Sequence, residues 1–363
     1  MMKRLKKLTA LLTAIGMVAA MSACGSDAAS SAAASSAASA GTEAAPAATE
    51  AAAPAEAGSA AETETAAADG DTYLIGICQL VQHEALDAAT QRFKDALTEK
   101  LGDKVKFDEQ NASGDSANCS TIVNGFLSEN VDLILANATA PLQAAAAATS
   151  EIPVLGTSVT DYATALEISD WTGTVGNNVS GTSDLAPLDQ QAAMIKELFP
   201  DAKKVGLLYC SAEPNSVYQC DTIEGNLKDE GYEVERYAFT DTNDVTSVTQ
   251  TACDNSDVIY IPTDNTAASN TEAIANVVLP AGVPVVAGEE GICKGCGVAT
   301  LSISYYDLGY TTGEMAYKIL VEGQDVTTTP VETAKTVTKK YNAANCETLN
   351  ITVPDDYEAI SEE

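Results

Sequence analysis

The sequence predicts an α/β protein of two doubly wound, parallel-sheet lobes joined by a multi-strand hinge. Two observations carry this expectation. A unit of strand, small-polar turn, helix and Pro-led strand occurs twice, as Val131–Thr139 with Ile152–Thr157 and as Val258–Thr266 with Val283–Gly288. The copies also keep their spacing: Gly76 and Gly206 lie 130 residues apart, and Pro153 and Pro284 lie 131 apart. Short β-branched runs bounded by turn residues suit strands buried on both faces. Their alternation with helices implies parallel sheets with right-handed crossovers. Ligands of such sheets sit beyond the carboxyl ends of the strands, so two facing lobes place any site in the turns of the repeat.

The chain begins with Lys3, Arg4, Lys6 and Lys7, followed by the mostly apolar run Leu8 to Ala20. That run is short for a membrane-spanning helix, and residues 1–23 read as a secretory signal. The junction Met21-Ser22-Ala23-Cys24 resembles the lipobox of bacterial lipoproteins, which implies cleavage before Cys24 and lipid on its sulfur. Residues 24–71 are rich in Ala, Ser, Thr, Glu, Pro and Gly and carry no aromatic or branched aliphatic side chain. Such a segment buries too little apolar surface to offset its ordering entropy, and a disordered tether is expected.

The folded part starts near residue 72. Tyr73-Leu74-Ile75-Gly76-Ile77-Cys78 predicts a strand leading into a helix over Ala85–Leu101. In the second lobe, Lys204–Cys210 leads into a helix over Ser216–Glu230, preceded by a helix over Leu185–Leu198. A helix over Asp307–Glu322, with Leu308, Met315, Ile319 and Leu320 at period 3.6, should return to the first lobe and end at Gly323. The expected lobes are 72–182 with 305–325, and 183–304 with 326–355. The Gly- and Asn-rich stretch 172–181 suits a crossover, and hinges are expected near Thr174–Ser183, Val298–Ser304 and Gly323–Val331.

Charge and cysteines narrow the function. Without the signal, 15 Lys+Arg face 52 Asp+Glu, a net charge of −37. Nucleic acid is excluded as a partner, and the acidic surface suits solubility at a cell surface. Cys78 and Cys210 end apolar strands and read as core. Cys293-Lys294-Gly295-Cys296 is the one close pair. With no second CxxC and His83 as the single histidine, no metal site is expected; a local disulfide and two free thiols both stay open.

No catalytic residues and no cofactor are expected. His83 has no partner visible in sequence, and the neighbours Glu289 and Glu290 tend to point apart at a strand end. No Walker-type loop and no GxGxxG after a strand is present. The turns suit an amino-acid zwitterion instead. Ala138 and Thr139 open a helix whose N–H groups attract a carboxylate, with the Thr157 and Ser158 hydroxyls one strand over. Asp264 and Glu289, at strand ends of the other lobe, could receive an ammonium. Leu80, Val81 and Tyr305 would contact the side chain, with Tyr306 a second choice. Thr139, Thr157 and Thr263 could equally be helix caps and turn formers.

Five ordered stretches carry a family resemblance: Gln82–Asp87, Asn111–Asp115, Ser183–Pro187 (with Asp184), Pro262–Thr266 (with Asp264 and Asn265) and Tyr305–Gly309. Together they resemble the substrate-binding lipoproteins of ABC importers with the type I periplasmic-binding-protein fold, and within them the branch with tryptophan- and tyrosine-binding members. The resemblance implies an extracytoplasmic, lipid-anchored monomer that passes an aromatic amino acid to an ABC permease and its ATPase. The Cys293–Cys296 loop departs from relatives that more often carry a charged, cysteine-free loop, and Tyr341–Ile351 carries Asn and Cys where a Leu/Ala/Lys helix is usual. The rival readings are a sugar-binding or other type I solute receptor, a sensory ectodomain and a secreted α/β enzyme. Beyond the signal only Arg92 and Arg236 are present, neither at a strand end facing the cleft, which disfavours Arg-based recognition of sugars or acidic solutes.

Overall fold

A computed structural model describes residues 72–361. The expected signal 1–23, the tether 24–71 and the lipid site Cys24 lie outside the described residues. The first lobe runs β1 (Tyr73–Gln79), α1 (Glu84–Leu101), β2 (Val105–Asn111), α2 (Ser116–Glu129), β3 (Leu133–Asn137), α3 (Thr139–Ala148), β4 (Val154–Val159), α4 (Tyr162–Ala165) and β5 (Val179–Ser183). The second runs α5 (Leu188–Leu198), β6 (Lys204–Cys210), α6 (Pro214–Asp229), β7 (Glu233–Phe239), α7 (Val245–Asn255), β8 (Val258–Ile261), α8 (Asn265–Ala268), α9 (Thr271–Ala281), β9 (Val285–Ala287), α10 (Glu290–Cys296) and β10 (Ala299–Ser302). The chain continues with α11 (Tyr305–Leu320), β11 (Glu332–Thr333), β12 (Thr338–Tyr341), α12 (Ala343–Leu349) and β13 (Glu358–Ala359).

The first sheet has the order β11-β5-β4-β3-β1-β2 and the second β13-β12-β10-β9-β8-β6-β7. Every pair is parallel except β10 with β12. Alternation along a strand sends side chains to opposite faces, and both faces are covered. Ile134 and Ala136 pack with Phe126 and Leu142 on one side of the first sheet, while Leu133 and Leu135 pack with Phe93 and Met315 on the other. The second sheet repeats this with Val258 and Tyr260 on one side and Ile259 and Ile261 on the other. This two-sided burial explains why the strands read as continuous apolar runs.

Helix α11 returns to the first lobe, as its periodicity predicts, and packs along α1. The contact is close because Gly309 and Gly313 face α1: a Cβ at Gly309 would run into the Ala89 carbonyl oxygen, and one at Gly313 would sit 2.6 Å from Ala96 Cβ. Among the described residues, no helix is long and apolar enough to cross a membrane.

The crossings differ from expectation. Gly173 and Gly176 adopt φ of 92° and 82°, but within a loop held to the first lobe, where the Gly173 carbonyl accepts from Val331 N at 2.8 Å. The Asn178 amide donates to the Ile152 carbonyl at 2.7 Å, so its loop is also tied to that lobe. Strand β5 then pairs with β4 inside the first sheet, and the chain leaves it only at Asp184–Pro187. Strand β11 pairs with β5 through Glu332 opposite Thr182. Its segment therefore belongs to the first sheet rather than the second lobe, and the third crossing falls between Thr333 and Thr338. The second crossing is Ile303–Ser304, within the expected span.

Candidate functional site

Each sheet reverses its order at one point: between β1 and β3 in the first, between β6 and β8 in the second. The carboxyl ends at these points form the crevice of a doubly wound fold. Here the two crevices face each other around one inner cavity lined by His83, Leu86, Ser158, Asp184, Asn215, Thr263, Asp264, Asn265, Ala268, Glu289 and Tyr305. Its volume is about 10 Å³, room for about one water molecule. An outer groove of about 510 Å³, lined in part by Leu80, Val81, Ala140, Ala212, Glu213 and Asn265, adjoins it.

The turn after β1 is held by the Gln79 amide, which donates to Asp87 at 2.7 Å and to the Val81 carbonyl at 2.9 Å. This fixes Leu80 and Val81 on the outer groove and His83 on the inner cavity. His83 Nε2 lies 3.2 Å from Asn265 Oδ1 of the second lobe. Burial pushes the His83 pKa below its ordinary value, against the Asn265 bond and the Glu213 and Asp87 carboxylates. The imidazole is therefore neutral at neutral pH and links the two lobes.

The carboxyls of the cavity differ in how they are used. Asp264 caps α8, accepting from Ala267 N at 2.8 Å, and its other oxygen accepts from Cys210 N at 2.6 Å. Glu289 caps α10, accepting from Gly291 N at 2.7 Å and Ile292 N at 2.5 Å. Burial, then the Glu213 carboxylate, raises Asp264 to about 8; burial raises Glu289 to about 7. Asp184 is different. Its Oδ2 accepts from the Tyr305 hydroxyl at 2.8 Å, but its Oδ1 is buried with no hydrogen-bond partner. Burial raises its pKa too, with the Tyr305 and nearby Thr160 hydroxyls working the other way.

Two more polar atoms on this cavity are buried without a partner: Ser158 Oγ and Thr263 Oγ1. Ser158 also sits at φ 55°, and Ala138, one strand over, at φ 104°. Non-glycine residues hold such backbone angles at a cost of about 1–3 kcal/mol and cluster at ligand sites. Among the described residues no Lys or Arg lines the cavity.

Of the residues singled out by sequence, Ser158, Asp184, Asp264, Asn265, Glu289 and Tyr305 converge here. Ala138, Thr139 and Thr157 do not line the cavity; Thr157 turns its hydroxyl to Thr182 at 3.3 Å inside the first lobe. Asp264 and Glu289, expected to receive an ammonium, each have both oxygens engaged by a backbone N–H group. Tyr305 positions Asp184, and Tyr306 is 50% exposed beneath the Arg92 guanidinium, 3.7 Å from its ring centroid. Cys293 and Cys296 are buried free thiols, spaced one helical turn apart on α10. Sequence reasoning left out Asn215, read Thr263 only as a cap or turn former and gave His83 no partner. The repeat held the signal, since the 130-residue offset carries His83 onto Glu213, and both residues converge on Asn265.

A sequence profile described as ABC transporter substrate binding protein matches residues 74–363. The chain belongs to that family. A curated relative, the tyrosine-binding protein of Clostridioides difficile, is 37% identical over 280 residues, 76% of this chain and 81% of the relative. Among solved structures, the ABC domain in complex with L-Trp from Streptococcus pneumonia is 31% identical and covers 80% of this chain and 100% of its own, with a TM-score of 0.76. The ligand-free, open structure of a substrate binding protein with adhesive properties from Clostridium difficile is 34% identical at the same coverage, with a TM-score of 0.62. At similar identity, the lobes of this substrate-binding protein match the L-Trp complex better than the open form. The two parallel-sheet lobes are the type I periplasmic-binding-protein architecture.

Proposed function

We propose that this substrate-binding protein captures a small zwitterion, an aromatic amino acid such as tyrosine or tryptophan, between its lobes and delivers it to an ABC permease and its ATPase. One observation carries the reading: Ser158 Oγ, Asp184 Oδ1 and Thr263 Oγ1 are buried without partners around a single interlobe cavity. A buried polar atom left unpaired costs about 1–3 kcal/mol, and a bound head group would satisfy all three. The ammonium goes to Asp184 Oδ1, and the carboxylate to the Ser158 and Thr263 hydroxyls. This revises the assignment to Asp264 or Glu289, whose oxygens each already accept a backbone N–H. The cavity is too small for an amino acid as it stands, so the lobes part for binding, rotating about the three crossings. Leu80 and Val81 then meet the side chain at the outer groove.

The tyrosine-binding relative and the L-Trp complex support an aromatic side chain. Extracytoplasmic location, lipid at Cys24, a monomeric state and the lack of turnover belong to the same proposal. Calorimetry with tyrosine, tryptophan, phenylalanine, leucine and ribose tests it. Binding of an aromatic amino acid is expected; ribose binding with no amino acid bound would overturn the zwitterion. Membrane retention of Cys24→Ala would overturn the anchor.

A further inference from the structure

The charges around the cavity are one-sided. Asp184, Asp264 and Glu289 line it from three strand ends, each at most 4% exposed. Among the described residues His83 is the one basic side chain on its wall, and burial lowers its pKa. Lys340 lines the adjoining hinge-side groove, where it pairs with Glu290 at 2.6 Å, and Lys294 pairs at 3.2 Å with Glu84 of that groove. A ligand carboxylate would therefore meet hydroxyl and amide donors but no fixed positive charge. One of those donors, the Asn215 amide, already serves the Thr263 carbonyl at 3.0 Å. An ammonium, by contrast, meets the unpaired Asp184 Oδ1, and its charge favours the ionised forms of the neighbouring Asp264 and Glu289.

We infer that the site recognises the ammonium more than the carboxylate, and that it also binds primary arylalkylamines, the decarboxylated counterparts of aromatic amino acids. Like-charge repulsion in a low-dielectric site works against the carboxylate of an amino acid. An amine avoids that repulsion and forgoes only neutral donors. The three unpartnered atoms distinguish this cavity from a solvated acidic patch: Asp184 is 4%, Ser158 6% and Thr263 9% exposed, and all three residues line the same cavity. In an amine complex Asp184 Oδ1 gains its partner, while Ser158 and Thr263 are left to a water molecule. The inference rests on the amino-acid reading above and extends its ligand class.

Tyrosine, tyramine and N-acetyltyrosine titrated calorimetrically into the full chain test it. Tyramine is expected to bind within about tenfold of tyrosine, and N-acetyltyrosine to bind at least about 100-fold more weakly. Tyrosine binding with tyramine weaker by more than about tenfold would overturn the amine inference and leave the amino-acid reading intact. N-acetyltyrosine binding as well as tyrosine would overturn the primacy of the ammonium. Failure of all three, together with tryptophan and tryptamine, would overturn the amino-acid reading itself. In Asp184→Asn, tyramine should lose more affinity than tyrosine, since the variant also relieves the repulsion between Asp184 and the carboxylate of tyrosine, which tyramine lacks; an equal or smaller loss would count against the assignment. The panel on the unmodified chain stands even if that variant folds poorly.

Discussion

The two walls of the cleft descend from the same repeat and use their residues in opposite ways. Glu289 of the second wall lies 131 residues from Ser158 of the first, and Glu213 lies 130 from His83. On the second wall the acidic side chains are consumed by the fold. Glu289 caps α10, Asp264 caps α8 and ties Cys210, and Glu213 accepts from Asn265 and Thr266. On the first wall the matched positions are left open, with Ser158 Oγ unpaired and His83 reaching across the cleft, and Asp184 beyond β5 keeps an oxygen free. A buried acid at a strand end is thus a candidate for ligand binding only after its N–H donors have been counted.

The largest expected effect is on the first wall. Asp184→Asn should cost about 3–5 kcal/mol of binding, or roughly two to four decades in affinity, with little change in melting temperature. Calorimetry and thermal melts on the same sample would show both. Asp264→Ala should do the reverse: losing a cap and the Cys210 tether should destabilise the fold by about 2–4 kcal/mol, while the folded fraction loses far less affinity than Asp184→Asn does. If Asp264→Ala abolished binding without loss of stability, the roles of the two walls would be exchanged.

A pH titration sharpens the contrast. Burial raises Asp264 to about 8 and Glu289 to about 7, whereas in an unfolded chain both groups titrate near about 4. Between these values the folded state holds protons that the unfolded chain has released. The resulting stability is full below about pH 4 and is lost as pH rises through about 7 to 8. The ligand-free melting temperature should therefore fall over that window. Affinity for an ammonium ligand should rise over it, by at most about tenfold per pH unit for each group, because binding favours the ionised carboxylates. Stability and affinity moving in the same direction would contradict this.

The smallest effects belong to contacts between the walls. His83→Ala removes the bond to Asn265 and should weaken binding by about 0.5–1.5 kcal/mol, roughly threefold to tenfold. Lys294→Ala breaks a partly exposed pair with Glu84 and should cost about 0–1 kcal/mol. Loss of binding by several decades in either variant would show that closure contacts, rather than Asp184, dominate affinity.

The fold was legible because the repeat marks the strands directly: β4 begins after Pro153 and β9 after Pro284. The crossings were less so. Gly173 and Gly176 look the same in sequence whether they bend a hinge or a loop, and the two-residue β11 has no periodicity to detect. At the site, residue type and strand-end position pointed to Ser158, Asp264 and Glu289, whereas Asp184 and Asn265 came with the stretches that carry the family resemblance and Tyr305 with its place beside a predicted crossing. What those cues could not convey is which oxygens remain free. That depends on the N–H groups of Cys210, Ala267, Gly291 and Ile292, whose directions follow from helix starts and from a neighbouring strand end. His83 could have been found by extending the repeat to Glu213. Thr263 could not, because its hydroxyl differs from those of Thr139 and Thr157 only in where it points.

A crystal structure of the protein purified without refolding, with its ligand retained, tests the central claim most directly. We expect a primary ammonium within about 2.7–3.2 Å of Asp184 Oδ1, with Asp264 and Glu289 still capping their helices. An ammonium bound to Asp264 or Glu289 in place of those caps, with Asp184 Oδ1 unpaired, would contradict it.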